Sequence, residues 1–407
     1  MARDDLAFAF ILVGSVAFSA LLRQFPAQLR PDAAAIVGAA AVVSACGPQC
    51  LHLAVALALA VFALNFAPPQ YRERISFAIA FGHLAFVRLL PSPPGGPTNA
   101  AMLMLTLRLG AADATSTVEL IRYACCYHGL FTGPYYSYAE WQAAMRAPQP
   151  LPTRRALWQA LLAAVSALAF WRAVAMALPY RLVAASATEG DGLGWVGGVL
   201  SRNLPLRLVY FYLSSFQFRW RFYACWLVME LSGLFLGVAH PANVEIRVCE
   251  LAMSPSALIS GWNTSVQSWL KERVYRRLPK ATPRSARMLA TFAVSAFWHG
   301  VHPGYYLMFA GLFVMVGVEQ LVRTAWPPHL FDKRDLLSGL LSPCCHLWTM
   351  GCFSFYGGAF NLLGWREVWG LWASLHYYGI WLALLPAVPA ALKLLVVGVP
   401  PSREKTG

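Results

Sequence analysis

His299 is the residue with the clearest capacity for chemistry. It stands in Phe297-Trp298-His299-Gly300-Val301-His302-Pro303-Gly304-Tyr305-Tyr306, inside Met288–Val318, a stretch with no Asp, Glu, Lys or Arg. An imidazole can take a proton from a hydroxyl near neutral pH. Ionisable groups within apolar segments are costly and mark functional sites. The plainer reading is a histidine hydrogen-bonded for structural reasons. His299 and His302 could also form half of a metal site, but the other histidines are scattered singly and no glutamate-containing zinc motif is present, so no metal is expected. No carboxylate lies within ten positions of His299, and no Ser-His-Asp arrangement is evident locally. The second candidate is Asn263, in Ser260-Gly-Trp-Asn-Thr-Ser-Val-Gln-Ser-Trp-Leu270. Its carboxamide can donate to a developing oxyanion, or hold a hydroxyl or the imidazole in place. Asn263-Thr264-Ser265 is also a glycosylation sequon. The two roles exclude each other, because a glycan does not fit a closed catalytic chamber.

The elements that position these residues are membrane helices. Of the 407 residues 58% are hydrophobic and 12% charged, and mean hydropathy is +0.52. Ordinary soluble domains carry about twice that charge, so a soluble enzyme, a disordered chain and a disulfide scaffold are excluded. The nine cysteines mostly lie in apolar runs and read as buried thiols. The formal net charge of +14 sits at the edges of apolar runs. That fits cytoplasmic loops and anionic lipid rather than nucleic acid.

Apolar runs long enough to span or re-enter a bilayer begin with Leu6–Leu22, read as a retained anchor rather than a cleaved signal. Ala33–Ala67 follows, split by Gly47-Pro48, then Ile75–Leu90, and after the Pro91–Pro97 loop Thr98–Ala112. Ala156–Tyr180 is a clear span. Arg207–His240, interrupted by Arg219 and Arg221, is expected as two helices or one broken helix. Leu336–Trp365 and Val368–Leu392 close the set. The fold class is all-α, a polytopic membrane protein with about ten or eleven spanning or re-entrant helices. Residues 1–407 read as one integral-membrane domain with no internal repeat. As a single helix Met288–Val318 would be about 46 Å long, beyond a hydrocarbon core of about 30 Å. It should break near His302-Pro303-Gly304. Broken backbone at membrane depth is tolerated inside protein or beside water, which places His299 by an enclosed polar space. Trp262, Val266, Trp269 and Leu270 fall near helical spacing, with Asn263 near the start of that helix. From Trp269 to Arg287, Lys271, Arg273, Arg276, Arg277, Lys280, Arg284 and Arg287 face one acid, Glu272. A positive-inside loop is the plainer reading; a rim for anionic substrate is the sharper one.

These blocks resemble the membrane-bound O-acyltransferase family. Phe297–Tyr306 looks like its histidine motif. Trp262-Asn263 through Tyr275 looks like its Trp-Asn motif in the lysophospholipid acyltransferase form, and Tyr127–Tyr138 resembles its aromatic Gly-Pro segment. Cys46–His52, Pro97–Ala100 and Arg219–Tyr223 are similar to members acting on lysophosphatidylinositol. The resemblance covers most of the chain. It implies helices around an internal catalytic chamber, and transfer of a fatty acyl group from acyl-CoA to the free glycerol hydroxyl of a lysophospholipid, lysophosphatidylinositol foremost. His299 and Asn263 would be catalytic. Trp262, Trp269, Lys271, Arg273, Tyr275, Trp298, Tyr305 and Tyr306 would bind substrate, the basic residues holding CoA phosphates and the aromatics lining the chamber. Acyl-CoA is a co-substrate, no further cofactor is implied, and endoplasmic reticulum residence is expected. Lysophosphatidylcholine, -ethanolamine and -serine are alternative acceptors. An acyl-cysteine route through Cys125 or Cys126 is an alternative mechanism, less favoured than direct attack in a ternary complex. A transporter with His299 on a polar path is the reading from another class; the missing repeat and the paired motifs argue against it.

If Asn263 lines a chamber, it carries no glycan. Glycosidase treatment is expected to leave electrophoretic mobility unchanged. A shift that disappears in Asn263→Gln would overturn that placement.

Overall fold

Backbone polar groups within a bilayer must be satisfied internally, which in long apolar runs means helix. The structure is a computed structural model that describes residues 3–91, 95–111, 116–180, 182, 199, 202–327 and 336–397. Residues 92–94 of the Pro-Gly loop lie outside these. Among the described residues there are helices and no strands. Of the described residues, four stretches are long and apolar enough to cross a membrane: Arg30–Phe66, Arg154–Ala177, Pro303–Ala325 and Tyr378–Val396; Phe8–Leu22 is a shorter apolar helix. The all-α membrane class therefore holds; the expected count of ten or eleven segments is not established by these four stretches.

In chain order the helices are α1 (Arg3–Leu22), α2 (Arg30–Cys46), α3 (Cys50–Phe66), α4 (Arg72–Arg88), α5 (Gly96–Ala111), α6 (Thr117–Cys125), α7 (Tyr138–Arg146) and α8 (Arg154–Ala177). They continue with α9 (Leu204–Leu236), α10 (Ile246–Glu250), α11 (Pro255–Gly261), α12 (Thr264–Arg273), α13 (Arg284–His299) and α14 (Pro303–Ala325). The last are α15 (Leu336–Leu362), α16 (Trp365–Ser374), α17 (Tyr378–Leu384) and α18 (Ala387–Val397). Gly47-Pro48 separates α2 from α3 through a 3-10 turn, Gly47–Gln49. The break expected in Met288–Val318 falls between His299 and Pro303, with Pro303 in the first turn of α14, where a missing N–H costs nothing.

The chain forms two compact units. The first comprises Met1–Phe170, Trp220–Val244 and Asn263–Arg277; the second comprises Trp171–Arg219, Glu245–Trp262 and Leu278–Gly407. In the first unit Arg108 of α5 is 1% exposed. Its guanidinium donates to the carbonyl oxygens of Tyr123, Ala124 and Cys126 at 3.2, 3.0 and 2.8 Å, to that of His128, and to the Tyr136 hydroxyl. A planar fork of five donors thus winds the segment after α6 around itself. Serine-capped α7 follows, with a capping box between Ser137 and Glu140.

In the second unit α14 packs on α15. Gly304 N–H donates to Leu363 O at 2.8 Å. A Cβ at Gly311 would enter the Tyr356 ring, so the absent side chain sets how closely the helices approach. Arg207–His240 is not divided: α9 runs unbroken through Arg219 and Arg221. Arg219 does not interrupt it, because its charge is answered within the protein. Its guanidinium is 1% exposed, pairs with both Glu250 oxygens at 2.7 and 3.0 Å, donates to Ser215 Oγ at 2.8 Å and lies over the Phe216 ring. Glu319 of α14, 7% exposed, accepts from Ser256 N–H at 2.9 Å and from Arg323. These two contacts hold both halves of 245–262.

Removing one partner of a buried ion pair strands the other charge, at about 3–5 kcal/mol. Arg219→Met is expected to lower the melting temperature of the detergent-solubilised protein sharply. Arg219→Met with Glu250→Gln should recover much of the loss, as measured by thermal unfolding.

Candidate active site

His299 is the last residue of α13, and Gly300 N–H returns to Ala296 O at 3.0 Å to close that helix. The side chain therefore projects at a helix end rather than from the middle of a span. It is half-buried. Rings surrounding it in the second unit include Trp298 at 4.7 Å between centroids, Phe360 at 4.9 Å edge-on, Phe309 at 5.5 Å stacked and Tyr305 at 5.8 Å. Phe360 also meets Tyr305 at 4.8 Å and Phe218 at 5.5 Å, and Phe218 stacks on Trp262 at 6.5 Å. The unit thus gathers four sequence-predicted residues, His299, Trp298, Tyr305 and Trp262, into one aromatic cluster. Tyr306, next on α14, is 40% exposed.

The other predicted residues belong to the first unit. Asn263 occupies the N-cap position of α12 with φ 48° and ψ 54°, the left-handed region, which asparagine tolerates better than most residues. Its side chain does not cap the helix. That task passes to Asn243, which is wholly buried. The Asn243 carbonyl accepts Thr264 N–H at 3.0 Å, and its Oδ1 accepts Ser265 N–H at 3.1 Å. These are two of the four amides a helix start leaves orphaned. Ser265 Oγ also donates to Asn243 Oδ1, at 2.7 Å, and accepts Tyr135 N–H at 2.9 Å. Asn243 Nδ2 donates to Asn263 Oδ1 at 3.0 Å. The Tyr127–Tyr138 block, held by Arg108, thereby supports the start of α12.

Trp269 is a packing residue. It is 3% exposed, stacks on Phe77 and Phe81 at 6.0 and 5.9 Å, and donates its indole N–H to Leu107 O at 3.1 Å. Lys271 is exposed. Arg273 Nη1 lies 2.7 Å from Glu73 Oε1, an oxygen it shares with Arg277 at 2.6 Å, and Arg276 pairs with Glu272 at 2.6 Å. Tyr275 opens a 3-10 turn, Tyr275–Arg277. Much of the basic stretch is therefore already partnered, and exposed Lys271 and Lys280 are the clearest cations of its 271–280 part. Burial pushes the Cys125 thiol above its ordinary value, opposed by nearby Arg108, and a raised thiol is a poor nucleophile at neutral pH. Among the described residues no group of three or more His, Cys, Asp or Glu is placed to hold a metal ion. Sequence reasoning missed Asn243, Phe218 and Phe360. Asn243 lies 20 positions from its partner, outside any local pattern. The two phenylalanines are indistinguishable by type among 24.

An imidazole at a helix break among aromatic rings is chemically able to accept a proton, and an amide whose capping duty is carried by another residue is able to donate a hydrogen bond. The chain matches the membrane-bound O-acyltransferase family over residues 9–355, and it belongs to that family. It is an integral membrane O-acyltransferase. Among its relatives are the membrane-bound acylglycerophosphatidylinositol O-acyltransferases of Mus musculus and Homo sapiens. They are 26% and 27% identical, each aligned over 100% of this chain and 97% of the relative. Lysophospholipid acyltransferase 2 of Arabidopsis thaliana is 29% identical over 72% of this chain and 65% of its own.

Phe360 touches both His299 and Tyr305 with its ring. Phe360→Ala is expected to let the imidazole wander and to lower turnover by about 10–100-fold, since small misplacements are costly in positioned catalysis. Acyl-transfer rates measured at equal protein abundance check this; an unchanged rate would remove Phe360 from the positioning of His299.

Proposed function

We propose that this enzyme transfers a fatty acyl group from acyl-CoA to the free glycerol hydroxyl of a lysophospholipid, with lysophosphatidylinositol as the acceptor. The observation that carries the reading is His299 at the break between α13 and α14, within a chain aligned from end to end with relatives named for acylglycerophosphatidylinositol acylation. His299 takes the hydroxyl proton as the oxygen attacks the thioester carbonyl. The carbonyl oxygen becomes an oxyanion, and the Asn263 carboxamide lowers its energy by hydrogen bonding. Collapse of the intermediate forms the ester and breaks the carbon–sulfur bond. The departing CoA thiolate recovers the proton from His299 and leaves as free thiol. The aromatic rings about His299 suit an acyl chain. Lys271 and Lys280 are suited to CoA phosphates, with Arg273 and Arg277 drawn on at the expense of their pairing with Glu73. Both substrates are membrane amphiphiles, which suits residence in the endoplasmic reticulum.

The purified protein, tested against lysolipids of each head group with several acyl-CoAs, is expected to release CoA thiol fastest with lysophosphatidylinositol. His299→Ala should abolish release at unchanged abundance. Release with another lysolipid alone would reassign the acceptor, and full activity in His299→Ala would overturn the mechanism.

A further inference from the structure

Resting on the acyltransferase reading, we infer that Asn243 is a positioning residue that fixes the Asn263 carboxamide with its N–H2 outward, so that Asn263 serves the reaction as a hydrogen-bond donor. The two ends of a carboxamide are distinguished by their partners, and here the partners decide. Ser265 N–H can only donate, so the Asn243 atom that receives it is the oxygen, Oδ1. Ser265 Oγ already accepts Tyr135 N–H, and it sends its own proton to the same Oδ1. The other end of Asn243 is therefore Nδ2, a donor. The Asn263 atom that meets it 3.0 Å away must accept and is Oδ1.

That leaves Asn263 Nδ2 with no partner among the described residues, on a half-buried side chain. The polarity of Asn263 is thus set by a backbone amide two residues away, relayed through a buried side chain that is 0% exposed. A free donor suits the oxyanion of the tetrahedral intermediate. It does not suit receiving the acceptor hydroxyl's proton or the imidazole N–H. Donation to the acceptor hydroxyl's oxygen would use the same N–H2, but as a ground-state contact its loss would raise KM.

The test uses the full-length purified protein in detergent, with a long-chain acyl-CoA, lysophosphatidylinositol and CoA-thiol detection. Asn243→Asp keeps the shape and both acceptances from Ser265 but cannot donate to Asn263. The Asn263 amide then turns its N–H2 toward the introduced carboxylate and its oxygen outward. The expected result is a fall in kcat of about 10²–10³, the scale of one lost oxyanion donor. KM for both substrates should be unchanged, because the interaction exists only in the transition state. In an Asn263→Gly background, where the left-handed backbone is still allowed, Asn243→Asp should cost nothing further, since its target is gone.

Asn263→Asp is the second variant and leaves Asn243 intact. It tolerates the same backbone and still accepts from Asn243, but presents an oxygen in place of N–H2. It should lose as much as Asn263→Gly, and it decides the question if Asn243→Asp does not fold. Wild-type kcat in Asn243→Asp, losses that multiply in the double variant, or substantial activity in Asn263→Asp would each overturn the inference. A wild-type protein that releases no CoA with any lysolipid would instead remove the acyltransferase reading on which it rests.

Discussion

Hydrocarbon offers no hydrogen bonds, so each polar group placed among apolar helices must find its partners in protein. That constraint organises the parts of this chain that matter for function. Arg108 meets four backbone carbonyls and a tyrosine hydroxyl. In doing so it gathers the segment that presents Tyr135 N–H to Ser265. Arg219 and Glu250 answer one another, and Glu319 receives the amide of Ser256 at the start of α11. Between them they fix both halves of the stretch that ends at Trp262. The buried charges thus hold irregular backbone at the places where motif residues leave the helices.

The punctuation of the fold was legible because it depends on local chemistry. Gly47-Pro48 and His302-Pro303-Gly304 interrupt helices wherever they stand, and both do so here. His299 stands out as a candidate for a related reason: few residues in an apolar stretch can accept a proton, and the break that follows it is where the local pattern puts it. What escaped notice depended on partners distant in sequence. Arg219 looked like an interruption of α9, since Glu250, 31 positions on, could not be read as its counter-ion. Trp269 looked like a substrate contact by its place in the Trp-Asn motif, whereas its indole is engaged by α4 and by Leu107. With 14% aromatic residues, residue type alone cannot separate a ring that packs from one beside the imidazole.

Of the rings around His299, Phe309 and Phe360 carry no hydrogen-bonding group, whereas Trp298 and Tyr305 carry one each. As the last residue of α13, His299 has no i+4 neighbour on the same helix to crowd the imidazole. Rigidity then has to come from ring packing, as in the chain of contacts from Phe360 through Phe218 to Trp262.

At position 263 the backbone and the chemistry together select the residue. The left-handed conformation at φ 48° disfavours most side chains that could donate, including glutamine, lysine and arginine, by about 1–2 kcal/mol. Of the residues that settle there, glycine has no side chain and aspartate offers only acceptors. Histidine can exchange which ring nitrogen bears its proton. Asparagine alone carries a fixed acceptor and a fixed donor on one planar carbon, so that Asn243 can hold the first while the second remains available. The Asn-Thr-Ser pattern also has structural duties: Thr264 begins α12, and Ser265 joins Tyr135 to Asn243.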